Sequence, residues 1–348
     1  MKFIKLIILI IAISHQSWGQ KKGINFIKTS NFNAAVNAAK QQNKLLFVEA
    51  YAPDCHVCMA FKGTFAQPQV GNVYNTNFIN FQLDVNNPDN LAILKKYKII
   101  LNSTPTFIFF EPKTMKVVQV KAFGEKDNSV ISVNLIGQKA ANPQEQVGSF
   151  SVRFKSGDRN PAFLLNYAQY ARIMGDTLTN IKMMNEYAKV LPTNQYVTQS
   201  TLNILQTVMM NHDNELFDYF VTHLPDYNKA FDPNMVRMIY ENIFQIVLTS
   251  QINNLNSKSI SKIKNQMKTT GMDPSSIIRR TWLAESNLYF KQKNTAAGIK
   301  VIQNLINVLP NAPGPKEYQY LCDYVKSKTN DKKALKYAQV NWCKYGLR

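Results

Sequence analysis

Hydrophobic periodicity changes character once along this chain, at Asn142-Pro143, and that change limits the available folds more than any other feature. Before it, short apolar and aromatic runs alternate with stretches of helical phase. Leu45 to Tyr51, Phe78 to Val85, Thr106 to Phe110 and Lys116 to Val120 read as strands, with Ile24 to Lys28 a further short one. Glu111-Pro112-Lys113 reads as the turn of a hairpin. Phe32, Ala35, Val36 and Ala39 recur at helical spacing behind a Ser30 or Asn31 cap, Pro88 opens a second helix, and another starts near Asn128. After the switch, strand-like runs disappear. Asn160-Pro161, Asp232-Pro233 and Asp273-Pro274 pair a capping residue with proline at the first helical position. Helix ends recur at Val190-Leu191-Pro192, His223-Leu224-Pro225 and Val308-Leu309-Pro310. The expected architecture is a three-layer α/β/α domain over residues 21–142, followed by an all-α, helical-repeat-like domain over 143–348. The step from Pro192 to Pro225 is close to the ~34-residue period of tetratricopeptide hairpins, so that half is expected to be loosely of that type.

Residues 1–20 stand outside this pattern. A basic start with Lys2 and Lys5, an apolar run from Leu6 to Ile13 too short to span a bilayer, and Ser17-Trp18-Gly19 ahead of Gln20 read as a secretory leader. The mature chain is therefore expected in an exported, periplasmic or extracellular location, with no membrane span. Formal charge is +19, yet charged residues make up only 18% and the lysines are scattered, the densest cluster being Lys258 to Lys268. A solvated basic surface fits this better than a nucleic-acid footprint, and no nucleic-acid partner is expected.

Chemistry concentrates at Cys55-His56-Val57-Cys58. The apolar run ending at Tyr51 is broken by Ala52-Pro53-Asp54, and Val57, Phe61 and Phe65 then carry a helical phase. Unpaired N–H groups and the positive dipole end at a helix start favour thiolate over thiol, and a second cysteine one turn on can close a disulfide. That placement points to dithiol redox chemistry. Cys55 is the expected nucleophile and Cys58 the resolving thiol, the two cycling through a Cys55–Cys58 disulfide. A protonated His56 would favour thiolate at the pair, while Asp54 would oppose it unless engaged as the helix cap. Cys55, Cys58 and His56 are too close in sequence to complete a four-ligand zinc site, so neither metal nor other cofactor is expected. Cys322 and Cys343, on the last two helices, can be bridged in an oxidising compartment only if an offset of about 7 Å of helix rise is absorbed.

Val48-Glu49-Ala50-Tyr51-Ala52-Pro53-Asp54-Cys55-His56-Val57-Cys58 resembles the active-site segment of thioredoxins and protein disulfide isomerases. Leu83-Asp84-Val85-Asn86, Tyr97 and Thr104-Pro105-Thr106 match later landmarks of that superfamily, and Thr64 to Val70 is similar to an insertion in exported bacterial thioredoxin-like domains. The resemblance implies a thioredoxin fold and a disulfide oxidoreductase. It implies a buried Glu49 that relays a proton to Cys58, and a cis-proline segment, Thr104-Pro105, that with His56 meets an extended client. The chain departs from the pattern at Asp54, where thioredoxins have tryptophan, and at Gln82, where they have a basic residue. Expected partners are disulfide-containing proteins, an electron donor or acceptor, and a client or protein partner of the helical half. The competing reading is an interaction scaffold or chaperone with a structural thioredoxin-like domain. His212 and His223 read as packing or surface histidines, and Met183, Met184, Met209, Met210, Met235 and Met238 as helix interiors.

Overall fold

The computed structural model describes residues 23–251 and 253–346; the expected leader lies outside them. The first half runs α1 (Phe32–Gln41), β1 (Leu45–Tyr51), α2 (His56–Phe65), α3 (Pro68–Asn77), β2 (Phe78–Asp84), α4 (Pro88–Lys96), β3 (Thr106–Glu111), β4 (Lys116–Ala122) and α5 (Val130–Ala141). Its strands form one mixed sheet in the order β2-β1-β3-β4. β1 lies inside, parallel to β2 and antiparallel to β3. Five consecutive residues, Leu46 to Ala50, are buried there, which is why that strand reads as a continuous run without alternation.

Successive side chains of β1 go to opposite faces. Leu46 and Val48 join Phe32, Val36, Phe81 and Leu94 beneath α1 and α4. Phe47 joins Phe61, Tyr74, Phe107, Phe109 and Ile136 beneath α2, α3 and α5. The expected three layers are present. The expected strand over Ile24–Lys28 is not: it contributes a single parallel bridge, Phe26 to Asn80. The Ile24 N–H donates to Phe65 O, the Asn25 N–H to the Asn75 side chain, and the Asn25 carbonyl accepts from Asn80 Nδ2. Too few backbone groups are left for a ladder.

The second half is helical throughout its described residues. It comprises α6 (Phe150–Lys155), α7 (Pro161–Ile173), α8 (Thr177–Val190), α9 (Gln199–Thr207), α10 (Glu215–Thr222), α11 (Leu224–Ala230), α12 (Pro233–Ser250), α13 (Ser257–Thr269), α14 (Pro274–Lys291), α15 (Thr295–Asn307), α16 (Pro315–Lys328) and α17 (Lys332–Asn341). Asn160, Asp232 and Asp273 cap α7, α12 and α14 through their side chains, each followed by proline. Pro225 departs from its expected role: α10 stops at Thr222 and Pro225 sits in the first turn of α11. The Pro192–Pro225 step spans a 3-10 turn, α9 and α10, with α9 packed on α12 and α10 on α8 and α13. Met183, Met184, Met209 and Met210 are buried, whereas Met238 faces out at 54% exposure. His212 is buried against Gln266, and His223 stacks on Tyr219. Among the described residues no helix is long and apolar enough to cross a membrane.

Cys322 and Cys343 form a disulfide. The offset expected from two continuous helices disappears because α17 ends at Asn341, and the buried Trp342 leads into a 3-10 turn that returns Cys343 to α16. The bond closes a loop with a sequence separation of 21. Replacing both cysteines by alanine is expected to destabilise the C-terminal hairpin by about 3 kcal/mol, read as loss of amide exchange protection over α16 and α17.

The two halves are joined along the sheet. β4 is an edge strand, and α7 covers it, with Gln169 Nε2 donating to Ala122 O at 3.0 Å. Ile173 is buried in the core shared with Val48 and Ile108, and its carbonyl accepts from Ile100 N at 2.8 Å.

Candidate redox site

The site is built where β1 gives way to α2. Ala52-Pro53-Asp54 reverses the chain, and the Cys55 N–H closes the turn on Ala52 O at 3.1 Å. Cys55 is itself the N-cap of α2, its Sγ accepting from the Cys58 N–H at 3.2 Å. The capping role considered for Asp54 therefore belongs to the sulfur. Cys55 is half-buried and Cys58 buried, and both are free thiols. Burial, with the hydrogen bond to Cys55, pushes the Cys58 thiol up to about 12.

The Thr104–Pro105 bond is cis, and Thr104 O accepts from Cys55 Sγ at 3.3 Å. Thr104 thus borders the Cys55 sulfur directly. Pro105 also anchors the loop after β4, its carbonyl accepting from Phe123 N at 3.1 Å.

Glu49 lies on the β1 face that carries Phe47 and that α2 covers. It is 2% exposed and pairs in register with Gln82 of β2 and Phe107 of β3. Gln82 Nε2 donates to Glu49 Oε2 at 2.9 Å. Burial raises the carboxyl to about 7, opposed only by that hydrogen bond. Where a cation would hold Glu49 ionised, the amide of Gln82 supports it in either protonation state.

His56 is exposed, with its imidazole Nε2 2.9 Å from Glu125 Oε1 in the loop after β4. It therefore lies on the rim of the site, tied to a carboxylate. Neither Glu125 nor its support stood out in the sequence. Asn203 of α9 donates through Nδ2 to Glu125 O at 2.9 Å, and Asn102, ahead of Thr104, donates to Thr207 O at 2.6 Å. α9 thereby braces the loop that borders Cys55 and the loop that meets His56. These partners are far apart in sequence, and no local spacing announces them.

Gly124 permits that brace. A Cβ there would lie 2.5 Å from Asn203 Cγ. Gly124→Ala is expected to lower stability by about 1–3 kcal/mol, measured by thermal unfolding, with Asn203→Ala in the same background reducing the penalty.

Strand order, the helix-capping cysteine and the adjacent Thr104–Pro105 loop are joined by a comparison with known families: residues 27–112 match the thioredoxin-like family. The N-terminal domain is thioredoxin-like. No curated protein matches the chain. The family match takes in β1 to β3 with Glu49, Cys55, Cys58, Thr104 and Pro105; β4, Glu125 and the helical half lie beyond it. The thioredoxin-like domain thus carries a close cysteine pair suited to redox or disulfide chemistry. Among the described residues no group of three or more His, Cys, Asp or Glu could hold a metal ion.

Proposed function

We propose that this protein is an exported thiol–disulfide oxidoreductase that reduces disulfides of protein clients. The observation that carries the reading is a half-buried sulfur at a helix N-cap, against the Thr104 carbonyl, with a buried second thiol one turn behind. Cys55, as thiolate, attacks one client sulfur; the client S–S bond breaks and a Cys55–client disulfide forms, releasing the other client sulfur as thiolate, which takes a proton from water. Cys58 then loses its proton and attacks Cys55 Sγ. The second client thiol leaves, and Cys55–Cys58 closes as a disulfide. The client has gained two electrons and two protons, and an external dithiol restores the pair.

Glu49 is the base this scheme assigns to Cys58. A thiol pushed so high resists ionisation unaided, and a buried carboxyl titrating near neutrality on the sheet face under α2 suits proton transfer. Thr104 and Pro105 are assigned to hold the extended client beside Cys55, with His56 on the rim. The helical half is assigned to partner or client binding.

The bracing of both site loops by α9 also favours a second reading, in which the chain is an interaction scaffold and the cysteines are structural. Affinity capture with Cys58→Ser separates the two. Mixed disulfides that release their protein with reductant support exchange; partners retained equally by the Cys55→Ser, Cys58→Ser double variant support the scaffold.

A further inference from the structure

A groove separates the thioredoxin-like domain from the helical half beside the redox site. One cavity of about 370 Å³ lies between the loop after β4, α5, α7 and α9. A second, also about 370 Å³, continues along α5 and α7 toward Arg153, and Leu135, Lys139, Ala162 and Asn166 line both. Leu135, Leu165 and Ile204 give the first an apolar lining, and Glu125, the partner of His56, also lines it.

The charges along this groove do not balance. Asp127 is paired with Lys121 at 3.1 Å, Glu125 with His56 at 2.9 Å, and Glu145 with Arg153 at 3.0 Å. Lys139 remains. It is half-buried and has no hydrogen-bond or ion-pair partner among the described residues. Burial pulls its ammonium below the ordinary lysine value; Glu145 offsets this in part, while Lys121 and Arg153 add to it. A half-buried cation between two others is unfavourable alone and is relieved by an incoming anion.

We propose that this groove seats a carboxylate-bearing segment of the client chain, an acidic side chain meeting Lys139 and apolar neighbours meeting Leu135, Leu165 and Ile204. This gives the disulfide-exchange site a preference for clients whose sequence near the reacting cysteine mixes acidic and apolar residues, and it rests on that reading for the occupant's identity. A carboxylate and an aliphatic side chain match what the groove offers, a cation over an apolar surface, and Glu125, which lines the groove, pairs with His56 on the rim of the redox site.

The test uses the full chain carrying Cys55→Ser and Cys58→Ser, with a short labelled peptide that alternates leucine with glutamate and lacks cysteine. Saturable binding by fluorescence anisotropy is expected. Lys139→Gln is expected to weaken it by on the order of tenfold, and Lys139→Arg to retain it. A leucine–glutamine peptide is expected to bind no better than the Lys139→Gln variant binds the acidic one. Equal affinity for the two peptides, no saturable binding, or unchanged affinity in Lys139→Gln would each overturn the proposal. Should Lys139→Gln fail to fold, the comparison of the two peptides decides it alone. The probe undergoes no exchange, so loss of reductase activity leaves this result standing. Conversely, disulfide reduction without acidic preference removes the groove and keeps the exchange.

Discussion

With Cys55 replaced by serine, reduction of insulin by an excess of dithiol is expected to fall to the uncatalysed rate, a loss on the order of a thousandfold or more for removal of a nucleophile. Cys58→Ser is expected to lose turnover to a similar extent for a different reason. Cys55 keeps its place at the start of α2 and still attacks, but nothing resolves the intermediate, so client accumulates covalently on Cys55. The pair of variants is diagnostic because the sulfurs differ in access: one is half-buried at the surface turn, the other is 6% exposed. Gel mobility without reductant distinguishes them. Equal turnover by wild type and Cys55→Ser sinks the enzymatic reading.

The second large effect concerns Glu49. Its carboxyl titrates at about 7 in the folded protein against an ordinary 4.5, so across that interval the folded state holds a proton that the unfolded state has released. Stability therefore falls as pH rises from about 4.5 to about 7 and levels off above. A gap of about 2.5 at about 1.36 kcal/mol each makes the loss about 3 kcal/mol by pH 8. Glu49→Gln removes that dependence while leaving an amide that can still pair with Gln82. The variant is expected to match wild type near pH 4 and to exceed its stability by up to about 3 kcal/mol at pH 8, measured by denaturant unfolding at both values. The same change is expected to slow resolution of the mixed disulfide and to remove the rise in its rate as pH passes through neutrality. Identical pH profiles for the two proteins would remove Glu49 from the proton path. The conflict between stability and rate is what a working acid–base group in a buried position produces.

Much of the fold was legible because its signals are local. A continuous apolar run marks β1 as internal, the Asn-Pro and Asp-Pro pairs mark helix starts, and strand, reversal and helix phase around Cys55 locate the redox pair. Reading failed where the deciding partner is distant. Ile24 to Lys28 has strand composition, but its backbone groups are claimed by Phe65, Asn75 and Asn80. Pro225 follows His223-Leu224 as a helix terminator would, yet it opens α11, since proline suits a first turn equally well. Met238 carries the apolar character of a core residue and still faces outward on α12. At the site, Cys55, Cys58, Glu49 and the Thr104-Pro105 loop were marked by motif. Glu125 and Asn203 were not, because each matters only through a contact with a residue distant in sequence.

The covered border of the sheet has a consequence for how this molecule can be divided. Cutting the chain after α5 would strip α7 from β4, bare carbonyls such as that of Ala122, and release the loops that meet Cys55 and His56. The fragment would keep every residue of the redox motif and yet offer a sticky, unzipped flank to its own copies. The thioredoxin-like half and the helical half are thus obligate cohabitants, and the proposed chemistry belongs to the intact polypeptide.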